Sequence, residues 1–259
     1  MTVACGGARV AFPGGPATPS PDALTHWAAA TEACRGARTF SAEIQVNGHV
    51  GDEPLRRATL QGAMTRDGAI RLLAVAPAGP PIFTLAGRAN RATLTLPSER
   101  RVIVAPAADI VDALVGLKLG PVDWLDLLAG CVAGSDAAEG ARFQGATIVS
   151  LKNGSGRVRI DQEGTTWRVV AGERPDLLVE YPEAQGRWPR VAQVTSRPGA
   201  VVSVALNMAI SQINVNLEMR AELFMLDVAP DFRPMTIDEL RAMGPLGPAR
   251  RLPTTFGGR

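Results

Sequence analysis

The sequence is poor in the side chains that catalytic and metal sites use most often. Its 259 residues include two histidines, His26 and His49, three cysteines and one tyrosine. Neither histidine has a carboxylate–cysteine or carboxylate–serine pattern beside it, and the chain contains no HExxH or CxxC motif. We interpret both histidines as surface residues. The sequence therefore predicts a protein that is not an enzyme and that uses no metal and no cofactor.

Strong charge of one sign and long apolar runs are also missing. Lys and Arg number 27 against 25 Asp and Glu, a formal net charge of +2, and no basic run or basic helix concentrates the positive charge. A nucleic-acid surface requires such a concentration, so the sequence argues against nucleic acid as a partner. No segment approaches the ~20 apolar residues of a membrane-spanning helix.

The first 20 residues have the composition of a processed leader and a tether. Ala4 precedes Cys5, and the following GGARVAFPGGPATPSP is rich in glycine, proline and small residues. This resembles the end of a bacterial lipoprotein signal, which predicts lipidation of Cys5 and a membrane anchor. The alternative is a free cysteine in a loose N-terminus. We predict a tether over 1–20, one domain over 21–247 and a loose tail over 248–259.

Alternating apolar side chains predict a mainly β domain. Over 39–48, Phe40, Ala42, Ile44 and Val46 alternate with polar residues, the period of a half-buried strand. Asn153-Gly154 is a hairpin signal. Further strands are predicted near 55–65, 69–76, 81–87, 91–96, 100–104, 143–151, 156–162, 165–171, 177–181, 190–196, 200–207 and 212–226.

Helices are predicted in three places along the chain. One is predicted over 21–36 and two short apolar ones over 107–117 and 122–129. A short helix is predicted near the C-terminus, where Thr236 and Glu239 fit a capping box and Gly244 fits a C-cap. Residues 132–141 are predicted to form a loop. A closed barrel does not need two helices between its strands. A curved sheet around an apolar interior needs helices to cover that interior. The order predicts a strongly curved, open antiparallel half-barrel with a lid of an N-terminal helix and two central helices.

Acidic residues recur at a spacing of three on the two central helices. They are Asp109, Asp112, Asp123 and Asp126. We interpret them as solvated helix faces and favourable N-terminal charges. The alternative is a site for a cation or a polar headgroup.

Two segments carry a resemblance to a known family. They are RLLAVAPAGPPIFTLAG and RATLTLPSERRVIVAPAADIVDALVGLKLGPVDWLDLLAGC, with weaker support from TTWRVVAG and WPRVAQVTS. In pattern and order, roughly from Thr39 to Leu217, the chain resembles the LolB and LolA family of periplasmic lipoprotein-localisation factors. The resemblance implies an open β-barrel, a helical lid and a hydrophobic cavity for lipoprotein acyl chains.

The implied cavity gives a set of candidate ligand-binding residues on strands and lid helices. For the two tryptophans in this set, core packing is the alternative to a cavity wall. The set is Phe40, Ile44, Leu72, Phe83, Leu85, Trp124, Leu127 and Trp167.

One departure from the family concerns the loop at 77–80. The receptor of the family carries a leucine there, used to push lipoproteins into the membrane, whereas this chain has Ala78. Alanine offers too little apolar area for a membrane wedge, so we expect weak insertion. Ile82 and Phe83 are the residues that could substitute for it.

The implied fold also brings two cysteines towards the same mouth of the half-barrel. Cys34 ends the first helix and Cys131 follows the second central helix. An exported protein meets an oxidising compartment, and we therefore predict a Cys34–Cys131 disulfide that pins the lid. The alternative is two separate buried thiols.

These observations predict a protein that binds lipid acyl chains, those of lipoproteins in transit to the outer membrane. The expected location is the bacterial periplasm with an outer-membrane anchor, and the expected partners are lipids, lipoproteins and a periplasmic carrier protein. Two alternatives stay open: a carrier of a free lipid, and a structural lipoprotein with a packed barrel that binds only proteins.

Overall fold

One continuous sheet forms the body of the protein. The computed structural model describes residues 12–75, 81–132 and 136–245, and within them the sheet has fifteen strands. The strands are β1 (Thr18–Pro19), β2 (Thr39–Val50), β3 (Glu53–Thr65), β4 (Ala69–Val75), β5 (Pro81–Arg88), β6 (Arg91–Leu96), β7 (Arg101–Ala105), β8 (Ala137–Phe143), β9 (Ala146–Leu151), β10 (Arg157–Glu163), β11 (Thr166–Glu173), β12 (Leu177–Gln185), β13 (Trp188–Ser196), β14 (Val204–Val215) and β15 (Arg233–Pro234).

The strands form two antiparallel meanders joined in the middle. Strands β2 to β7 pair in sequence order, as do β8 to β14, and β14 pairs with β2. The outer strands of the meanders, β7 and β8, do not pair with each other. Each is bordered instead by a two-residue strand, β15 beside β7 and β1 beside β8. The sheet is therefore an open half-barrel, as the sequence predicts.

Three helices cover one face of this sheet. They are α1 (Ala23–Arg35), α2 (Ala107–Val115) and α3 (Pro121–Ala129), and we call them the lid. Helix α1 packs on β8 to β11 and on α3, α2 packs on β6, and α3 packs on β2, β3 and β13. A fourth helix, α4 (Ile237–Ala242), packs on α2. The mainly β fold with an N-terminal and two central lid helices is confirmed.

The core lies between the sheet and the lid. On β2 the side chains of Phe40, Ala42, Ile44 and Val46 are all buried, and they point towards the lid. The alternation that predicts this strand thus also identifies its buried face, because successive side chains of a strand point to opposite faces.

Residues 216–232, which we call the outer strap, run along the other face of the sheet. A short 3₁₀ turn in the strap, Ala221–Phe224, packs on β4 and β5. The Arg71 guanidinium donates to the Leu223 carbonyl at 3.0 Å. Thr84 and Ala86 point away from the lid, yet both are buried. The strap therefore shields part of the outer face from water.

Two boundary predictions are wrong. Residues 132–141 are not all loop, since Ala137–Phe143 forms β8 and turns at Gln144-Gly145 into β9. The strand predicted over 212–226 does not exist as such, because β14 ends at Val215 and the strap follows. The residues of β8 lack apolar alternation, and backbone hydrogen bonds to β9 hold the strand in the sheet. The strap contains apolar residues, as a strand would, but it forms no strand.

Candidate functional site

The side chains predicted to bind a ligand come together in one apolar cluster. They derive from β2, β4, β5, β11 and α3, and they contact both the sheet and the lid. Seven of the eight are at most 5% exposed: Phe40, Ile44, Leu72, Phe83, Leu85, Trp124 and Leu127. The structure thus brings these residues together as one interior. Their role as a ligand-binding surface stays a prediction.

Within the described residues, protein side chains fill the interior around Phe40, Ile44 and Leu85. Phe40, Ile44 and Leu85 are 0% exposed, so no water-sized space touches them. A cavity near Trp167 and Tyr181 has a volume of about 20 Å³, which is room for about one water. Ligand pockets measure roughly 300 to 1,000 Å³. An acyl chain could therefore enter this interior only if lid side chains moved out.

The eighth residue, Trp167, lies at the margin of the interior. It is half-buried, and its ring stacks on His26 of α1 with 3.9 Å between centroids and 11° between planes. The Nδ1 atom of His26 is buried without a hydrogen-bond partner among the described residues. His26 is therefore not the plain surface histidine that the sequence predicts. His49 is exposed, as expected, but it lies within β2.

An arginine ties two lid helices to the sheet. Arg66, in the turn after β3, donates to the Cys34 carbonyl in the last turn of α1 at 2.9 Å and to the Ala37 carbonyl just after α1 at 3.2 Å. The same guanidinium donates to the Asp126 carboxylate of α3. One side chain thus holds the ends of α1 and α3 in a fixed relation to the sheet.

The acidic partner in this cluster corrects a prediction. Asp126 is 6% exposed, so it is not on a solvated helix face. Burial raises the pKa of its carboxyl above the usual value, and the bond to Arg66 opposes this shift only in part. A carboxylate in the last turn of a helix also opposes the helix dipole. In the sequence, a carboxylate in the last turn of a predicted helix favours a cationic side chain close to it in the fold.

The other three acidic residues lie in more exposed positions. Asp123 accepts a bond from the Gly120 amide at 2.9 Å and so caps the start of α3. Asp109 pairs with Lys118, and Asp112 pairs with Arg241 of α4. Each of these three carboxylates thus has a partner. Within the described ranges, no three His, Cys, Asp or Glu side chains are grouped so that they could hold a metal ion.

The predicted disulfide is present. Cys34 and Cys131, 97 residues apart, are bonded with 5.7 Å between their Cα atoms. The bond joins the last turn of α1 to the residue that follows the C-cap of α3. It lies beside the Arg66 cluster, so covalent and polar links fasten the same end of the lid.

A buried tyrosine adds a further link at this end. The Tyr181 hydroxyl of β12 donates to the Leu127 carbonyl of α3 at 2.7 Å. The side chain is 1% exposed, and burial raises the pKa of its phenol well above the usual value. The hydroxyl therefore stays protonated as a donor. The sequence reasoning did not identify Tyr181, although a lone tyrosine among apolar strand residues suggests a buried hydrogen bond.

An open cleft lies at the opposite end of the lid. It has a volume of about 1060 Å³ and is bordered by the end of α2, the 50–53 turn and the 196–202 loop. Leu114 and Leu117 line it, and Val201 beside them is fully exposed. Carboxylates and cations both line the cleft, so it has no strong charge of one sign.

Two of the predicted sites lie outside the described residues. These are Cys5 and the loop at 77–80 with Ala78. Of the residues that follow this loop, Ile82 is half-buried and Phe83 is 1% exposed in the core. Ile82 thus keeps some surface for a contact, whereas Phe83 does not in this state. Among the helices of the described chain, none combines the length and the apolar character needed to cross a membrane.

Comparisons with known proteins identify the fold. No protein-family model matches the sequence. A search of curated proteins also finds no significant match. Among solved structures, the chain is similar to a LolA superfamily protein from Nitrosomonas europaea, with a TM-score of 0.52 and 9% identity over 81% of this chain and 98% of that one.

A second solved structure superposes less closely. It is a domain from Vibrio parahaemolyticus that bears the name of an outer membrane lipoprotein-sorting protein, with a TM-score of 0.47 and 10% identity over 78% of this chain and 95% of that one. That superposition is too loose to assign a fold by itself. The first structure and the topology agree, and the chain has a LolA-like open half-barrel fold with helices over its concave face.

Proposed function

We propose that this protein binds lipid acyl chains between the sheet and the lid, and that its ligands are lipoproteins in transit to the outer membrane. The observation that carries the proposal is an apolar concave face covered by helices rather than by a second sheet. Because β7 and β8 do not pair, the half-barrel can widen without breaking a ladder between them. A closed barrel of the same composition would lack this freedom.

Binding by burial of an acyl chain needs no catalytic residue. Each methylene group that leaves water contributes ~0.8 kcal/mol, so a long chain can compensate for the displaced lid side chains. Transfer to another protein then requires a partner whose cavity fits the chain better. We therefore propose a binding protein with no cofactor, not an enzyme, acting together with a periplasmic carrier protein.

The proposed location is the periplasm, with a lipid on Cys5 anchoring the chain to the outer membrane. Metabolic labelling with a palmitate analogue tests the anchor, since the wild type should be labelled and Cys5→Ser should not. Equal labelling of both would exclude it. With Ala78 in the 77–80 loop, we expect weak liposome binding of an untethered chain, unchanged by Ala78→Glu.

Displacement of a fluorescent fatty acid tests the binding function. The probe should bind at micromolar concentrations and be displaced by a lipopeptide. Leu85→Ala, which changes the interior, should weaken binding. Leu223→Ala is the matched control, because Leu223 lies on the outer strap and is 38% exposed. Absence of probe binding at tens of micromolar would refute the lipid-binding proposal for lipoproteins and for a free lipid alike.

The second candidate is a structural lipoprotein that binds only proteins. Two observations favour it: the filled interior, and four exposed apolar side chains on the outer strap. The four are Leu217, Leu223, Met225 and Val228. Native mass spectrometry of protein purified from cell envelopes separates the candidates, since co-purified lipid supports the first and protein-only complexes support the second.

A further inference from the structure

The lid is fastened strongly at α1 and α3. The Cys34–Cys131 disulfide joins them covalently, Arg66 bonds to the end of each, and Tyr181 holds the Leu127 carbonyl. These links involve buried or partly buried groups, so water does not compete well for them. Separation of α1 from α3 would require breaking a covalent bond.

Helix α2 has much weaker links. In the described chain, its side chains form two polar contacts, Asp109 with Lys118 and Asp112 with Arg241. Lys118 is 71% exposed and Arg241 is 52% exposed, and ion pairs of such exposure contribute at most about 1 kcal/mol. Apolar packing through residues such as Ile110 and Leu114 is what holds α2 in place.

The cleft at the end of α2 leads towards this packing. Leu114 and Leu117 of its lining are themselves buried, and they lie where the end of α2 meets the 50–53 turn and the 196–202 loop. The helix ends at Val115, and its C-cap, Gly116, has a φ of +71°. Displacement of α2 would extend the cleft to the apolar side chains of β6, on which the helix packs.

We propose that α2 alone is the moving part of the lid, and that an acyl chain enters through this cleft to take the place of α2 on β6. This inference rests on the proposed lipid-binding function and specifies its entrance. When no ligand is present, the apolar face of α2 covers the side chains of β6 that the acyl chain would contact. The entering chain covers the apolar side chains of β6 on its inner side and the apolar face of the displaced α2 on its outer side, so opening leaves little apolar surface in water.

Helix α4 provides a fixed point against which α2 can be locked. Its N-terminal approach is held to β7 by the Met235 amide, which donates to the Val102 carbonyl at 2.8 Å. Glu239 of α4 pairs with Arg101 at 2.9 Å, and Leu240 is fully buried. A cross-link between α2 and α4 therefore restrains α2 relative to the sheet.

The experiment uses the full chain with Cys5→Ser and the native disulfide intact. Asp112→Cys and Arg241→Cys are joined by a short bis-maleimide to lock α2. The matched control joins Glu32→Cys and Arg187→Cys, an exposed acid–arginine pair that links α1 to the turn after β12 at 2.7 Å. Association of a fluorescent fatty acid is followed by stopped flow, with the unlinked double variants as references.

We expect the α2 lock to slow association at least about tenfold relative to its unlinked variant, because it restrains the gating segment. The α1 lock should leave the association rate within about twofold of its own unlinked variant. Unchanged association with α2 locked, or equal slowing by both locks, would overturn the inference and leave the proposed function intact. Failure of the unlinked protein to bind the fatty acid would refute the proposed function, and this inference with it.

Discussion

The guanidinium of Arg66 donates to the carboxylate of Asp126, 60 residues further along the chain, and the same guanidinium holds the end of α1. Asp126 is buried, whereas the Arg66 side chain is 33% exposed. The pair therefore connects the interior of the lid to its surface. Removal of the arginine would leave a buried carboxylate without its main partner.

Arg66→Gln should destabilise the protein by about 3 kcal/mol at pH 7, near the lower end for a broken buried pair because Arg66 is partly exposed. The folded-state pKa of Asp126 already lies above its usual value of 3.8, and it rises further without Arg66. A group with a raised folded-state pKa contributes stability that the protein loses as the pH rises from 3.8 through that folded-state pKa. The deficit should therefore shrink between pH 7 and pH 4 in urea titrations.

The control for this prediction is Arg66→Gln combined with Asp126→Asn. An amide does not titrate, so the stability difference between Asp126→Asn and the double variant should not depend on pH in this interval. A deficit of Arg66→Gln that is equal at both pH values would show that Asp126 does not respond to the arginine.

The double variant Cys34→Ser/Cys131→Ser should be less stable than the wild type. The bond joins two residues that lie 97 positions apart in the sequence. For a loop of this length the chain-entropy model gives a stabilisation of roughly 4–5 kcal/mol, which is an upper figure because residual structure in the unfolded state reduces it. The midpoint of urea unfolding measures the loss. Thiol counting on denatured, unreduced protein with Cys5→Ser should find no free cysteine, and two free thiols would contradict the bond.

Tyr181→Phe should cost about 1 kcal/mol, since it removes one buried hydrogen bond and leaves the Leu127 carbonyl without this donor. The ring and its packing are retained, so the change isolates the hydroxyl group. Chemical unfolding of the purified variant gives the value. A variant as stable as the wild type would mean that the carbonyl finds another donor.

Gly48→Ala should destabilise the protein by roughly 3 kcal/mol, at the upper end for enforced backbone strain. Gly48 has a φ of +147°, and an added Cβ would lie 1.9 Å from the Ala205 carbonyl oxygen. The glycine lies where the β2–β3 register shifts, and it lets the backbone of β2 approach β14 closely at Ala205. Asn47→Ala is the neighbouring control and should change stability little. Equal effects of the two substitutions would contradict this role.

Much of the fold could be predicted because apolar periodicity reports which face of an element is buried. Phe40 and Ile44 indicate the inner face of β2 directly, and the apolar runs over 107–117 and 122–129 mark the lid helices close to their true bounds. Strand β8 was missed because its residues at 137–142 are small or polar and none of them is buried. Backbone hydrogen bonds to β9 hold it, and these leave no pattern in side-chain hydrophobicity.

The polar cluster of the lid could not be predicted from periodicity. Asp126 lies among apolar residues of α3, and its partner Arg66 is in a turn 60 residues earlier. Only the folded topology brings the β3–β4 turn against the end of α3. The apolar residues of the strap led to a strand prediction that is wrong. Leu217 and Met225 have the side chains of strand residues, but they are 54% and 66% exposed.

The two-residue strands β1 and β15 border the open sides of the sheet, and each of them ends in a proline, Pro19 and Pro234. Proline has no amide hydrogen, so neither outer strand offers a full row of donors to another chain. Unprotected sheet edges template the stacking of identical chains into fibres. The two sides of the half-barrel can therefore stay open at high protein concentration without pairing with the sheet of a second copy.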